Sequence, residues 1–311
     1  MKSGFNNCYM NAKVWLITGC SKGFGRALAK LVADNGHRVI ATVRKEVEVA
    51  ALESLSEGDI KGFVLDVTEE EAEKRIHLLI KEFFDNQVDV LVNNAGYGSI
   101  GAIEEINDEE IKRQFAVNVF GSISMIKAVL PFMRARKGGH ILNITSIAGL
   151  NGFPGIGIYN GSKFALEGIG EALAQEVEPL GIKVTNVEPG PFRTDWAGTS
   201  ATYAPTTISD YTETAEKNAK SIKKVNGNQK GDPLKAVQAI YKLTQLKHPP
   251  VHLPLGGPAY KRIRLKLPKF RYLNLEKFSN DELYNLWFTF FDPLLRAYVL
   301  KELFFQKKYE L

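Results

Sequence analysis

The stretch from residue 14 to residue 43 most constrains what this chain can fold into. Val14 to Thr18 is a short apolar run with β-branched residues, the pattern of a buried strand. It runs directly into Thr18-Gly19-Cys20-Ser21-Lys22-Gly23-Phe24-Gly25. Arg26 to Asn35 then carries apolar residues at helical spacing (Ala27, Leu28, Leu31 and Val32), and Gly36 closes it. Arg38 to Val43 is a second apolar run. Strand, glycine-rich turn, helix and strand make one β-α-β unit, and parallel strands of this kind need their crossover helices to cover the sheet.

The alternation continues along the chain. Strands are expected at 60–65, 88–92, 140–145 and 182–187, and helices at 69–86, 108–136 and 158–178. A last short strand is expected within 248–256, followed by a basic helix at 259–267. This pattern predicts an α/β fold with a doubly wound parallel sheet. We expect one domain over residues 13–267, after an extension at 1–12 that carries no assigned role. Residues 268–311 are expected to form an amphipathic helical extension. Ligands in such sheets sit beyond the carboxyl ends of the strands.

Several polar motifs fall at those ends. In the first turn, glycines would let backbone N–H groups approach a pyrophosphate, with the positive end of the next helix behind them. Ser146 follows the strand at 140–145. Tyr159 and Lys163 lie one turn apart on the next helix and share a face. An ammonium beside a phenol favours the phenolate, so a lowered Tyr159 pKa is expected. A phenol tuned in this way suits proton transfer to a carbonyl or from a hydroxyl, with Ser146 donating to the same oxygen.

Taken together these motifs resemble the short-chain dehydrogenases/reductases. They are Thr18-Gly19-x-x-x-Gly23-x-Gly25, Asp66-Val67, Asn93-Asn94-Ala95-Gly96, Asn118, Ser146, Tyr159-x-x-x-Lys163 and Pro189-Gly190-x-x-x-Thr194, in that order. The resemblance covers residues 13–267 and implies a Rossmann-type fold, a nicotinamide cofactor and hydride transfer between carbonyl and alcohol. By position, it implies Tyr159 as general acid/base and Lys163 as the group that tunes it and holds the nicotinamide ribose. Ser146 would orient the substrate oxygen and Asn118 a relay water. Gly19, Ser21, Gly23, Phe24 and Gly25 would line the pyrophosphate and ribose, and Asp66 and Val67 the adenine. Asn93, Ala95 and Gly96 would lie along the adenosine ribose, and Pro189, Gly190 and Thr194 would hold the nicotinamide. Gly161 stands where the family often has Ala, at a cost of about 1 kcal/mol in a helix.

Enzymes that prefer NAD place Asp or Glu at the end of the second strand, to bind both ribose hydroxyls. Here that position is Val43, followed by Arg44, and Lys22 lies in the glycine-rich turn. Two cations without a carboxylate suit a 2′-phosphate, so NADP(H) is expected, with Lys22 and Arg44 among its ligands.

Net charge is +5, and residues 259–311 carry 11 Lys/Arg against 6 Asp/Glu, so the rest is balanced. No nucleic-acid partner is expected. Cys8 and Cys20 have no metal-ligand spacing and neither do the five histidines, so no metal and no disulfide framework are expected. No signal peptide or long apolar run is evident, and a cytoplasmic protein is expected. Phe192 to Lys230 reads as a long loop with Trp196, Tyr203 and Tyr211, expected to cover the substrate site. Its aromatics fit either an apolar substrate or simple anchoring of the loop.

Beyond residue 267, Ser279-Asn280-Asp281-Glu282 reads as a capping box ahead of an apolar stripe at Leu283, Leu286, Trp287, Phe290 and Phe291. Packing on the domain, on a second subunit of a homo-oligomer, or on a membrane surface would each cover it. The expected function is an NADP(H)-dependent oxidoreductase acting on a small, lipophilic carbonyl or alcohol. A 3-oxoacyl-thioester reductase and a non-catalytic NADP-binding sensor are the alternatives.

Overall fold

The computed structural model describes residues 12–271, so the capping box and stripe after residue 272 lie outside the described residues, as does the segment 1–11. Seven parallel strands form the main sheet: β1 (Val14–Ile17), β2 (Arg38–Val43), β3 (Ile60–Val64), β4 (Val90–Asn93), β6 (Gly139–Ile144), β7 (Ile182–Pro189) and β9 (His252–Leu255), in the order β3-β2-β1-β4-β6-β7-β9. Two short strands, β5 (Gly98–Ile100) and β8 (Ala201–Tyr203), pair in parallel apart from it. The order reverses between β1 and β4, and such a switch point opens a crevice at the carboxyl edge. The chain therefore has the doubly wound, Rossmann-type sheet that the alternation predicts.

Helices cover both faces because the strands are apolar on both. α1 (Gly23–Asp34) and α8 (Pro233–Leu243) pack on one face against Trp15, Ile17, Val39 and Val187. α3 (Ala72–Phe83), α5 (Gly121–Ala135) and α6 (Gly157–Val177) pack on the other, against Leu16, Ile40, Leu91 and Ile141. Alternate residues of β1 thus feed two separate cores, as the two-residue period of a strand requires. Short α2 (Val49–Glu53) lies between β2 and β3.

The sequence predicts helix over 108–136, and the structure has it from Asp108 to Ala135, with its hydrogen-bond pattern shifted within it. α4 (Asp108–Phe115) and α5 flank a π-helical turn, Ala116–Phe120. Such turns insert a residue and re-aim the side chains within them. The stretch Asp108–Ala135 is long and apolar enough to cross a membrane, yet half of its apolar window is buried, as in a core helix.

The covering segment is more ordered than the expected loop. It contains a 3₁₀ turn at Asp195–Ala197, strand β8, a π turn at Thr212–Glu216 and α7 (Lys217–Lys224). Its Thr/Ser/Asn/Gly composition hid these elements, because β8 gains its partner only from β5. α8 had no place in the sequence reading, although Asp232 caps it and Pro233 opens it. The last helix, α9, spans Gly257–Arg271. By contacts the chain divides into Met1–Ile263 and Arg264–Leu311.

Candidate active site

The glycine-rich turn joins β1 to α1. Gly19 (φ 69°) and Gly23 (φ 60°) adopt left-handed backbone that side chains disfavour. A Cβ on Gly25 would lie 2.5 Å from both Asn94 Nδ2 and Gly19 O, and one on Gly19 would lie 2.9 Å from Ala95 Cα. The turn is therefore folded tightly onto the end of β4. Asn94 braces it, donating from Nδ2 to Thr18 O (2.8 Å) and Gly19 O (3.0 Å), while Thr18 Oγ1 accepts from the N–H groups of Asn94 and Ala95. Asn94 and Thr18 were quoted within motifs but given no role in the sequence reading; their work is to hold the turn.

α1 begins at Gly23 with no side-chain cap and no acid in its first turn. Its first N–H groups and its positive dipole end thus face the crevice, the arrangement an anionic pyrophosphate needs. Ser21 lies half-buried in the same turn, and Phe24 packs edge-on against Phe192, with ring centres 5.4 Å apart. Beside the crevice, Asn93 Oδ1 is buried without a partner. Asp66 is held by Thr68, whose N–H and hydroxyl both donate to its Oδ1, and Val67 packs against Gly121. These residues fit a dinucleotide along the carboxyl edge of β1, β3 and β4.

At the end of β2 the side chain of Val43 is buried, and Arg44 is exposed just beyond it. Lys22, expected among the ligands of the 2′-phosphate, is engaged within the protein. Its Nζ contacts Thr199 Oγ1 and lies 3.7 Å from Asp195 Oδ2, both in the covering segment. Lys22 therefore bridges the glycine-rich turn to that segment, a contact between residues 177 apart in the chain.

Tyr159 and Lys163 both project from α6 toward the end of β6, and both are nearly fully buried, at 6% and 5% exposure. Lys163 Nζ donates to Ile144 O at 2.8 Å and stands 5.9 Å from the centre of the Tyr159 ring. Ser146 Oγ accepts from Ala148 N–H at 3.0 Å, which leaves its own proton to donate. Asn118, in the π turn, is buried and tightly held. Its Nδ2 donates to Tyr97 O and Ser162 Oγ, each at 3.0 Å, and its Oδ1 accepts from Tyr97 N–H at 3.1 Å. Around Gly96 the polar atoms converge: a Cβ there would lie 3.1 Å from Asn118 Oδ1 and 3.4 Å from Lys163 Nζ.

The expected acid shift of the phenol is not found among the protein's own groups. Burial pushes Tyr159 up to about 12, opposed only by the Ser146 hydrogen bond. Burial likewise lowers Lys163 to about 8, with the Glu167 charge opposing it. Sequence spacing placed the ammonium near the phenol but could not show that both are buried, and desolvation then outweighs their mutual effect.

The site is roofed. Trp196 packs on Tyr159 with ring centres 5.0 Å apart, and its indole fits over Gly98, where a Cβ would meet Cζ2 at 2.6 Å. Ile100, Ala148, Ile156, Phe153, Ala201, Tyr203, Ala219 and Ile222 complete this apolar cluster. Tyr211 lies farther out, bonded to Glu104. Pro189 is buried at the end of β7, Gly190 N–H donates to Leu255 O at 3.0 Å, and Thr194 caps the turn holding Trp196. Thr194 also approaches Gly23, at 3.8 Å from the Cβ a side chain there would carry.

A family model described as short chain dehydrogenase matches residues 13–204. The chain belongs to this family. A 3-ketodihydrosphingosine reductase of Bacteroides thetaiotaomicron is 39% identical over 249 residues, covering 79% of this chain and 89% of that protein. A short-chain dehydrogenase from Streptomyces avermitilis superposes with a TM-score of 0.78 at 36% identity, over 88% of this chain and 99% of that one. The structure of ElxO with NADP bound matches with a TM-score of 0.66 at 29% identity, over 80% of this chain and 99% of its own. As a short-chain dehydrogenase, this protein is an oxidoreductase that uses a nicotinamide dinucleotide.

The fold also gathers residues that the sequence did not single out. Glu167 on α6, Glu188 on β7 and His252 on β9 bring carboxylate and ring atoms within 4.8 Å of one another. The histidines show no ligand spacing along the chain, and only the adjacency of β7 and β9 makes this cluster.

Proposed function

We propose that this protein reduces a lipophilic aldehyde or ketone with NADPH, and catalyses the reverse oxidation. The observation that carries the reading is the convergence of Ser146, Tyr159 and Lys163 at the carboxyl edge of β6, under an apolar roof and beside the glycine-rich crevice. Tyr159 gives its proton to the carbonyl oxygen. Ser146 donates a second hydrogen bond to that oxygen and offsets the charge developing there. Lys163 supplies positive charge behind the phenol, and Asn118 and Lys163 together border the polar space around Gly96. When bound, the cofactor supplies the hydride.

The second-strand position supports NADP(H) over NAD(H). Val43 offers no acceptor for ribose hydroxyls, while Arg44 stands exposed with its guanidinium available to a 2′-phosphate. Lys22 would serve the phosphate only by exchanging its contacts to Asp195 and Thr199. The apolar lining supports a lipophilic substrate, and the name of the Bacteroides relative points to a long-chain ketone. NADPH oxidation against aldehydes, ketones and acyl thioesters of graded chain length tests this, with Tyr159→Phe as control. Turnover in the variant equal to that of the native enzyme would remove the mechanism, and turnover confined to acyl thioesters would replace the substrate class.

A further inference from the structure

Glu167 lies one helical turn beyond Lys163 on α6 and is 3% exposed, an unusual place for a carboxylate. It faces donors. Asn186 Nδ2 on β7 gives hydrogen bonds to Glu167 Oε2 at 2.8 Å and to Glu167 O at 3.0 Å. Asn186 is itself locked, because its Oδ1 accepts from Asn143 Nδ2 and Asn143 Oδ1 accepts from Asn93 Nδ2, each at 3.0 Å. Each amide of this ladder points its NH₂ toward Glu167, whose carboxyl oxygen accepts at its end. α6 comes close enough because residue 170 is glycine; a Cβ there would sit 2.0 Å from Asn186 Oδ1.

On the outer side stands His252, between Glu188 Oε1 at 2.7 Å, Glu167 Oε2 at 3.5 Å and Glu171 Oε1 at 3.4 Å. Glu188 is fully buried, so His252 pairs with it before it screens Glu167. The charged groups facing this part of α6 are Glu188 from β7, His252 from β9 and Glu171 on α6 itself; Lys183 of β7 points to the opposite face and donates to Leu246 O. Among all of these, Glu167 is the charge that acts on Lys163.

We propose that Glu167 is a positioning residue that keeps Lys163 protonated in its buried site, and so sets the upper pH limit of carbonyl reduction. The proposal rests on the role given to Lys163 above. Taking an ammonium out of water disfavours its charge, and a fixed carboxylate one turn away restores part of that loss. Asn186 Nδ2 and the His252 ring face the carboxylate at Oε2 from β7 and β9, while its Oε1 is buried without a hydrogen-bond partner. Lys163 does not need to touch Glu167 for this effect, since charge acts through the low-dielectric interior between them.

The test is the pH dependence of kcat/KM for NADPH-dependent reduction by the full chain, in native enzyme, Glu167→Gln, Glu167→Asp and Glu171→Gln. Glu167→Gln is expected to move the alkaline limb about one pH unit lower. Glu167→Asp, which withdraws the charge by one methylene, should move it part of the way. Glu171→Gln, on the exposed side of His252, should leave the limb in place. An unmoved limb in whichever Glu167 variant folds, even with a lower melting temperature or a uniformly lower kcat, overturns the proposal. Lys163→Ala separates the two readings: if it retains full turnover, the role of Lys163 fails first, whereas a dead Lys163→Ala with an unmoved Glu167→Gln limb refutes Glu167 alone.

Discussion

Lys163 Nζ stands 5.9 Å from the centre of the Tyr159 ring and spends a hydrogen bond on Ile144 O. The amine therefore acts on the phenol through space while anchored to the end of β6. Burial drives their proton affinities apart, with Tyr159 near 12 and Lys163 near 8. As pH rises, Lys163 loses its proton first. Reductive kcat/KM is expected to fall along an alkaline limb governed by Lys163, well before the phenol ionises. Tyr159→Phe should lower kcat about a thousandfold, within the range for loss of a general acid, and should leave NADPH binding, read by fluorescence titration, unchanged.

Arg44→Ala is expected to weaken NADPH binding about tenfold and leave NADH unaffected, because a charge-assisted contact is worth about 1.5–3 kcal/mol before solvent screening. The ratio of KM values for the two cofactors reads this directly. An NADH effect as large as the NADPH effect would place Arg44 elsewhere on the nucleotide. Lys22→Ala should differ from it, since Lys22 also ties the glycine-rich turn to Asp195 and Thr199.

Trp196→Ala is expected to open the roof over Tyr159 and raise kcat/KM for bulky ketones relative to small ones. Gly98→Ala should perturb the same indole from below, because the added methyl carbon would lie 2.6 Å from Cζ2. A substrate profile unchanged in both variants would show that the indole does not bound the substrate space.

Two histidines set opposite ends of a stability profile. His252 is raised from 6.5 to about 10, chiefly by its hydrogen bonds to Glu167 and Glu188. Its contribution is fully present below pH 6.5 and is lost as pH rises through about 10. The melting-temperature advantage of native protein over His252→Gln should therefore be largest near pH 6 and vanish above pH 10. His140 is lowered from 6.5 to about 3 by burial, so the unfolded chain takes up its proton first as pH falls. That loss accrues between pH 6.5 and about 3, and His140→Gln should flatten it.

The sheet and the ends of its strands were legible because they depend on local pattern. Apolar β-branched runs at 14–17, 38–43 and 139–144 can only be buried, and glycines at 19, 23 and 25 report backbone that no side chain tolerates. Tyr159 and Lys163 were likewise readable, since helical period alone puts them on one face.

What the sequence by itself determined was thus the alternation of elements, the carboxyl-edge placement of the motifs and the shared face of the phenol and the amine. Tertiary structure decided the rest. It supplied β8 with a partner in β5, set Asn118 in a π turn, turned Lys22 toward Asp195 and brought Glu167, Glu188 and His252 together across three elements. It also reversed the expected shift of Tyr159. The physical reason is common to all of these: strand pairing, desolvation and charge contacts depend on which distant segments come to lie side by side, and local residue pattern carries no record of that.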